Sequence, residues 1–129
     1  MIDYSGLTFK KSGSTLDRAI AKKAARLADA RKLRVWAAAV KTRDLWKDRK
    51  TGVRVHSSRQ LDPLRAEAHH LEPKANKALR YDVRNGVTLS LQSHLDVERG
   101  RYRIEGTAWF RVGGCRYIDA TYAIIFVRQ

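Results

Sequence analysis

From Ser14 to Lys47 the chain carries neither Gly nor Pro, and Ala, Lys, Arg and Leu dominate it. Residues of this kind lose little on entering a helix, so the segment predicts helix. Ser14 and Asp17 stand at capping-box spacing, with Asp in place of the usual Glu, where negative charge near a helix start is favoured. Leu16, Ile20 and Leu27, with Ala24 and Ala28 between them, give one narrow apolar face, and Leu33, Trp36, Val40 and Leu45 continue such a face. One long helix, or two shorter ones broken near Arg31–Leu33, satisfies this pattern. Between Arg18 and Lys47 ten basic residues stand against Asp29 and Asp44 alone. That imbalance favours a phosphate-contacting surface over a plain solvated face.

The same bias runs through the whole chain. Its 129 residues suit one domain with a modest core. Lys and Arg number 27 against 13 Asp and Glu, a net charge of +14. Binding to a polyanion releases counterions whatever sequence is bound, so nucleic acid is the expected partner, ahead of an acidic lipid surface. The single cysteine, Cys115, excludes an intramolecular disulfide and a Cys-rich zinc cluster, and is expected as a small buried residue. The first residues, MIDYSGLTFKK, hold no apolar signal core, and no segment approaches the length of a membrane span. A cytoplasmic protein, of a phage-infected bacterium for example, is therefore expected.

After a loop or short hairpin over Asp48–Asp62, with a turn at Thr51-Gly52 and alternation at Val53-Arg54-Val55, the pattern changes. Glu67–Leu71 reads as a strand, stopped by Pro73, which has no amide hydrogen to donate. Ala75–Arg84 reads as an irregular connection, Asn85-Gly86 as a turn and Val87–Leu89 as a second strand. Leu91, His94, Leu95 and Glu98 fall at helical spacing before Gly100. Arg103–Phe110 and Tyr117–Val127 read as strands around a turn at Gly113-Gly114. The middle of the chain is thus strand, loop, strand, helix. Histidines on the first strand and on the helix can converge on one ion. Adjacent strand residues point to opposite faces, so His69 and His70 divide their labour, one a ligand and the other a base.

The segments AHHLEPK and RNGVTLSLQSHLDVE resemble the HNH, or ββα-metal, endonucleases. That family's pattern is a His-His pair, a hydrophobic residue and a nearby Pro, then an Asn, then a His nine residues further on. Leu71, Pro73 and the interval from Asn85 to His94 fit it. Upstream, Arg43-Asp44 and Gly52 match the family's Arg-Asp lead-in and knuckle glycine, so the resemblance spans Trp36 to Gly100. Many members also carry two CxxC pairs that hold a structural zinc. The corresponding positions here are Asp48, Thr51, Ser90 and Ser93, and their side chains are poor zinc ligands. No structural zinc is expected, and packing must replace it.

The resemblance implies His69 and His94 as metal ligands, His70 as the general base and Asn85 as the residue that braces the loop near His70. Glu98, one turn after His94, is the candidate third ligand. One divalent ion (Mg, Mn, Ni or Zn) is implied. Arg65, Lys74, Lys77, Arg80 and Arg84 flank these residues as candidate phosphate contacts, with a diffuse cationic surface as the alternative. Trp36, Trp46 and Trp109 are read as core rather than as base-stacking platforms, and His56 has no role.

The expected fold is α+β in one domain over residues 1–129. It comprises a basic helical region (14–47), a ββα-metal core (65–100) and a C-terminal β extension (102–129). The expected activity is metal-dependent hydrolysis of DNA phosphodiesters, by nicking and with low sequence specificity; RNA is the second candidate substrate. Two rivals are a non-catalytic nucleic-acid-binding protein on a degenerate HNH scaffold, and a toxin nuclease held by an acidic inhibitor protein.

Overall fold

The computed structural model describes residues 14–129, and the reading of the first eleven residues as lacking a signal core lies outside them. The architecture is α+β: a long N-terminal helix followed by small antiparallel sheets. The chain divides into two compact units, with the boundary between Lys32 and Leu33. Among the described residues no helix is long and apolar enough to cross a membrane.

The run free of Gly and Pro is a single helix, α1, over Thr15–Arg43. Its capping box is reciprocal: the Asp17 amide donates to Ser14 Oγ at 3.1 Å and the Ser14 amide to Asp17 Oδ2 at 3.3 Å. The first unit shows this helix almost entirely in water. Leu16 is 67% exposed and Leu27 54%, so among the described residues the apolar face expected there covers no core. In the second unit, Trp36 and Val40 are buried. The helix stops short of Lys47, at Arg43, and Leu45 does not extend its apolar face. Leu45 (φ 56°) and Trp46 (φ 53°) are left-handed, and Leu45 lies in solvent. Two such non-glycine residues in succession are costly. What fixes this exit is Asp44, whose carboxylate accepts from Arg43, from Arg49 and from the Thr88 amide at 2.8–2.9 Å.

Strands β1 (Ala66–His70) and β2 (Gly86–Ser90) pair antiparallel, with His69 opposite Val87 and His70 opposite Gly86. Helix α2 (Leu91–Glu98) follows β2 directly, capped by Ser90 Oγ, which accepts from the Ser93 amide. Gly100 adopts φ 74° just past its end. Four further strands follow: β3 (Tyr102–Gly106), β4 (Trp109–Val112), β5 (Cys115–Ile118) and β6 (Ile124–Arg128). They form two separate ribbons, β3 with β6 and β4 with β5. Each of the two long strands read from sequence is therefore split, at Thr107-Ala108 and at Asp119–Ala123. Val87, Leu89 and Ala120 form the core, flanked by Leu71, Val97, Ile124 and Phe126, so β2, α2 and β6 share one interior.

Four local readings are corrected. Gly86 is not in a turn: its φ is −123° and it opens β2, directly after a single 3-10 turn at Val83–Asn85. A Cβ there would run into Val40 and Trp36, so the glycine serves close packing of α1 on β2. Cys115 is exposed, beside the β4–β5 turn. Trp109 is 46% exposed rather than core, while Trp36 is buried and Trp46 half-buried. Arg43 is no phosphate contact: Nη1 donates to Val83 O and Nη2 to Gly86 O, both at 2.6 Å, tying the end of α1 to the start of β2.

Candidate active site

β1 delivers its two histidines to different neighbours, as side chains on a strand must alternate. The His69 ring meets that of His94, on α2, edge to face with centroids 5.1 Å apart. The His70 ring stacks on Trp36 of α1 at 3.8 Å and 11°. Gly86, opposite His70, is what lets Trp36 come this close. An open cleft of about 520 Å³ is lined by His69, His70, His94 and Glu98, with Trp36 and Lys74 beside them.

Each ring is electrostatically distinct. Burial, then the nearby His94 and His70, push His69 down to about 4, so it is a neutral imidazole with a free lone pair at neutral pH. Burial also lowers His70; the bond to Arg80 opposes this, and the charges of Lys74 and Arg80 add to it. His70 Nε2 lies 3.0 Å from the Arg80 carbonyl oxygen. A carbonyl can only accept, so Nε2 carries the hydrogen and Nδ1 is left as the basic nitrogen. His94 Nε2 lies 3.1 Å from Glu98 Oε1, one turn away on α2.

Asn85 is buried, and its side-chain hydrogen bonds go to none of these rings. Its Oδ1 accepts from the Glu72 amide at 2.8 Å, and its Nδ2 donates to Glu72 O at 3.1 Å and to Leu79 O at 3.3 Å. With the Leu71 amide bonded to Asn85 O, both ends of the loop from Leu71 to Arg84 are pinned. That loop presents the Arg80 carbonyl to His70. Asn85 thus acts on His70 through backbone, at one remove.

The flanking cations separate into two groups. Lys74 lines the cleft, Lys77 is exposed, and Arg80 reaches Lys74 O with Nη1 at 3.0 Å. Arg84 is paired with Asp82 at 2.8 Å and stacks on Phe110 at 3.9 Å. Arg65 is paired with Glu67 at 2.7 Å, outside the cleft lining. His56 makes an ion pair with Asp62 at 3.1 Å.

Asp48, Ser90 and Ser93, three of the four positions matched to the zinc-holding cysteine pairs, meet in a buried polar clip that starts α2, a bond set the resemblance did not name. Asp48 Oδ2 accepts from Ser90 Oγ at 2.8 Å and from Ser93 Oγ at 2.5 Å, and Asp48 Oδ1 accepts from the Lys50 amide at 2.9 Å. All three side chains are buried. Thr51 stays outside the clip, with Oγ1 accepting from the Val53 amide at 3.2 Å. Ser93 directly precedes His94, so the clip fixes the turn of helix that carries that ring.

Two imidazoles and water suit a borderline divalent ion, with phosphate oxygens able to complete the shell. Among the described residues no three His, Cys, Asp or Glu side chains group closely enough to form a metal cage alone. Glu98, expected as a third ligand, is engaged with His94. The donors present therefore fit an open, incompletely coordinated ion. Comparison of the chain with family models, with curated proteins and with solved structures found no match in any of the three.

Proposed function

We propose that this protein is a metal-dependent endonuclease of the HNH type that nicks DNA with low sequence specificity. The observation that carries the reading is the meeting of His69, His94 and His70 in one open cleft, with His70 held so that Nδ1 is its basic nitrogen. His69 and His94 would hold the ion, and Glu98 would fix the His94 ring through Nε2. A bound divalent ion supplies positive charge beside the scissile phosphate and the departing oxygen.

The chain's own residues do the rest. His70 Nδ1 takes a proton from water, whose oxygen bonds to phosphorus as the P–O3′ bond breaks. The O3′ leaves with the bonding pair and is protonated by solvent, giving a 3′-hydroxyl and a 5′-phosphate. Trp36, stacked on the imidazole, and Arg80, accepting at Nε2, keep the ring from turning. Lys74 stands at the cleft to meet a phosphate oxygen, with Lys77 and Arg80 on the same loop. The charge of +14 supports a polyanionic substrate.

Incubating supercoiled plasmid with the protein tests this reading, with magnesium, manganese, nickel or zinc and with EDTA. Open-circle product that needs a divalent ion is expected. Binding without cleavage of plasmid or RNA in every ion would sink the reading in favour of a binding protein.

A further inference from the structure

We infer that the outer face of the β4–β5 hairpin is a second contact for the nucleic acid, one that grips an unpaired strand by a phosphate and a base. The two-residue turn Gly113-Gly114, with φ of 57° and 83°, makes a tight hairpin of the primed type, well matched to strand twist. Its register sets Trp109 opposite Ile118 and Arg111 opposite Arg116. Residues directly opposite share a face, so Trp109, Arg111, Arg116 and Ile118 stand on one side, with Ile118 packed on Gly106 at its base, and Phe110 and Tyr117 on the other. The second side faces the protein: Phe110 is buried under Arg84, and the Tyr117 hydroxyl accepts from Asn76 Nδ2 at 3.4 Å. The hairpin therefore sits against the loop that also presents Lys74, Lys77 and Arg80.

Trp109, Arg111 and Arg116 are all exposed. Like charges directly opposite across a ribbon repel. Among the described residues no carboxylate pairs with Arg111 or Arg116 to relieve this. Arg116 instead lies 4.2 Å over the Trp109 ring, which holds its guanidinium beside the indole. Two guanidiniums lacking an anion match a phosphate, and a half-exposed indole beside them matches a base free to stack. An acidic protein would satisfy the charges as well, and stacking of a base on the indole is what separates nucleic acid from it. The inference rests on the nucleic-acid reading but not on the cleavage chemistry.

The test is fluorescence anisotropy in EDTA, with a 20-nucleotide oligothymidylate and an abasic strand of the same length across a salt series. For R111Q/R116Q, loss of the phosphate contact should weaken binding of both strands about fivefold at 0.1 M salt and flatten the salt slope by about 0.7. Trp109→Ala should weaken oligothymidylate roughly tenfold and the abasic strand far less, by no more than the loosened Arg116 contact, while Trp109→Phe restores binding. Thermal melts check that each variant is folded. Variants that bind within twofold of the wild type would overturn the inference. So would an equal loss on both strands in Trp109→Ala, or polyglutamate binding that depends equally on the hairpin, which would assign the face to an acidic protein. Hairpin variants that lose binding, in a wild type that never nicks plasmid, would sink the nuclease reading alone. Nicking by a wild type whose binding ignores the hairpin would sink this inference alone.

Discussion

Replacing Asp48 by Ala should be among the most damaging single changes in the protein, although Asp48 lies outside the proposed catalytic cleft. Its carboxylate accepts from Ser90 Oγ, Ser93 Oγ and the Lys50 amide, and it is 1% exposed. Alanine leaves two buried hydroxyls without their acceptor. A stranded buried donor costs about 1–3 kcal/mol, so the pair should cost about 4 kcal/mol together. Against a typical domain stability of about 5–15 kcal/mol this is a large share. At roughly 4 °C per kcal/mol for a chain of this size, Tm should fall by about 15 °C. Scanning calorimetry and urea denaturation measure it. Adding Ser93→Ala to Asp48→Ala should recover part of the loss, because one stranded hydroxyl is then removed while Ser90 Oγ keeps its cap on the residue 93 amide. Metal affinity should fall with Asp48→Ala as well, since the clip holds the turn that carries His94. A Tm within about 2 °C of the wild type would refute the reasoning.

Gly86→Ala drives a methyl into Val40 and Trp36, and should cost about 1–3 kcal/mol in urea denaturation. The near-ultraviolet circular dichroism of Trp36 should change with it. His69 titrates at about 4 in the folded chain against 6.5 ordinarily, so the unfolded chain takes up its proton first. Its contribution is complete above pH 6.5 and is lost as pH falls towards about 4, by about 3 kcal/mol. A His69→Gln variant should lack that segment of the stability curve. Asp44, held below its ordinary value by Arg43, the Thr88 amide and Arg49 against the opposing effect of burial, adds acid sensitivity only below about pH 4. Thr88 Oγ1 is buried without a partner, so Thr88→Val should be neutral or stabilise by about 1 kcal/mol in the same assay.

Much of the scaffold is legible in the sequence where short-range rules govern it. The Gly- and Pro-free run becomes α1, Ser14 and Asp17 cap it, and Gly52 and Gly100 adopt the left-handed backbone their positions need. The strand–loop–strand–helix order around the histidines also follows from local pattern. What sequence could not supply is partner choice over distance. Asp48 and Ser90 lie 42 residues apart; the knuckle resemblance matches their positions to ligands of one zinc, but nothing local to either says that a carboxylate–hydroxyl bond forms there. Arg43 counts as surface charge by composition, yet its guanidinium crosses to Val83 and Gly86. The NG dipeptide signals a turn, whereas Gly86 is required by Trp36 and Val40 packed above it. Trp109 and Cys115 follow apolar prejudice into the core, whereas the register of β4 and β5 turns Trp109 outward and the adjoining Gly113-Gly114 turn leaves Cys115 at the exposed tip of the hairpin. In the candidate site, the division between His69 and His70 is readable from strand alternation. The tautomer of His70 is not, because the Arg80 carbonyl that sets it arrives from a loop without regular pattern.

The central claim is that His70 is the base of a metal-dependent nuclease, and single-turnover plasmid nicking by His70→Ala tests it most directly. DNA binding should be measured beside it in EDTA. General base catalysis is worth about 10²–10⁴-fold, so nicking should slow by at least about 100-fold while binding and metal affinity stay within about twofold of the wild type. Nicking by His70→Ala at the wild-type rate would contradict the account.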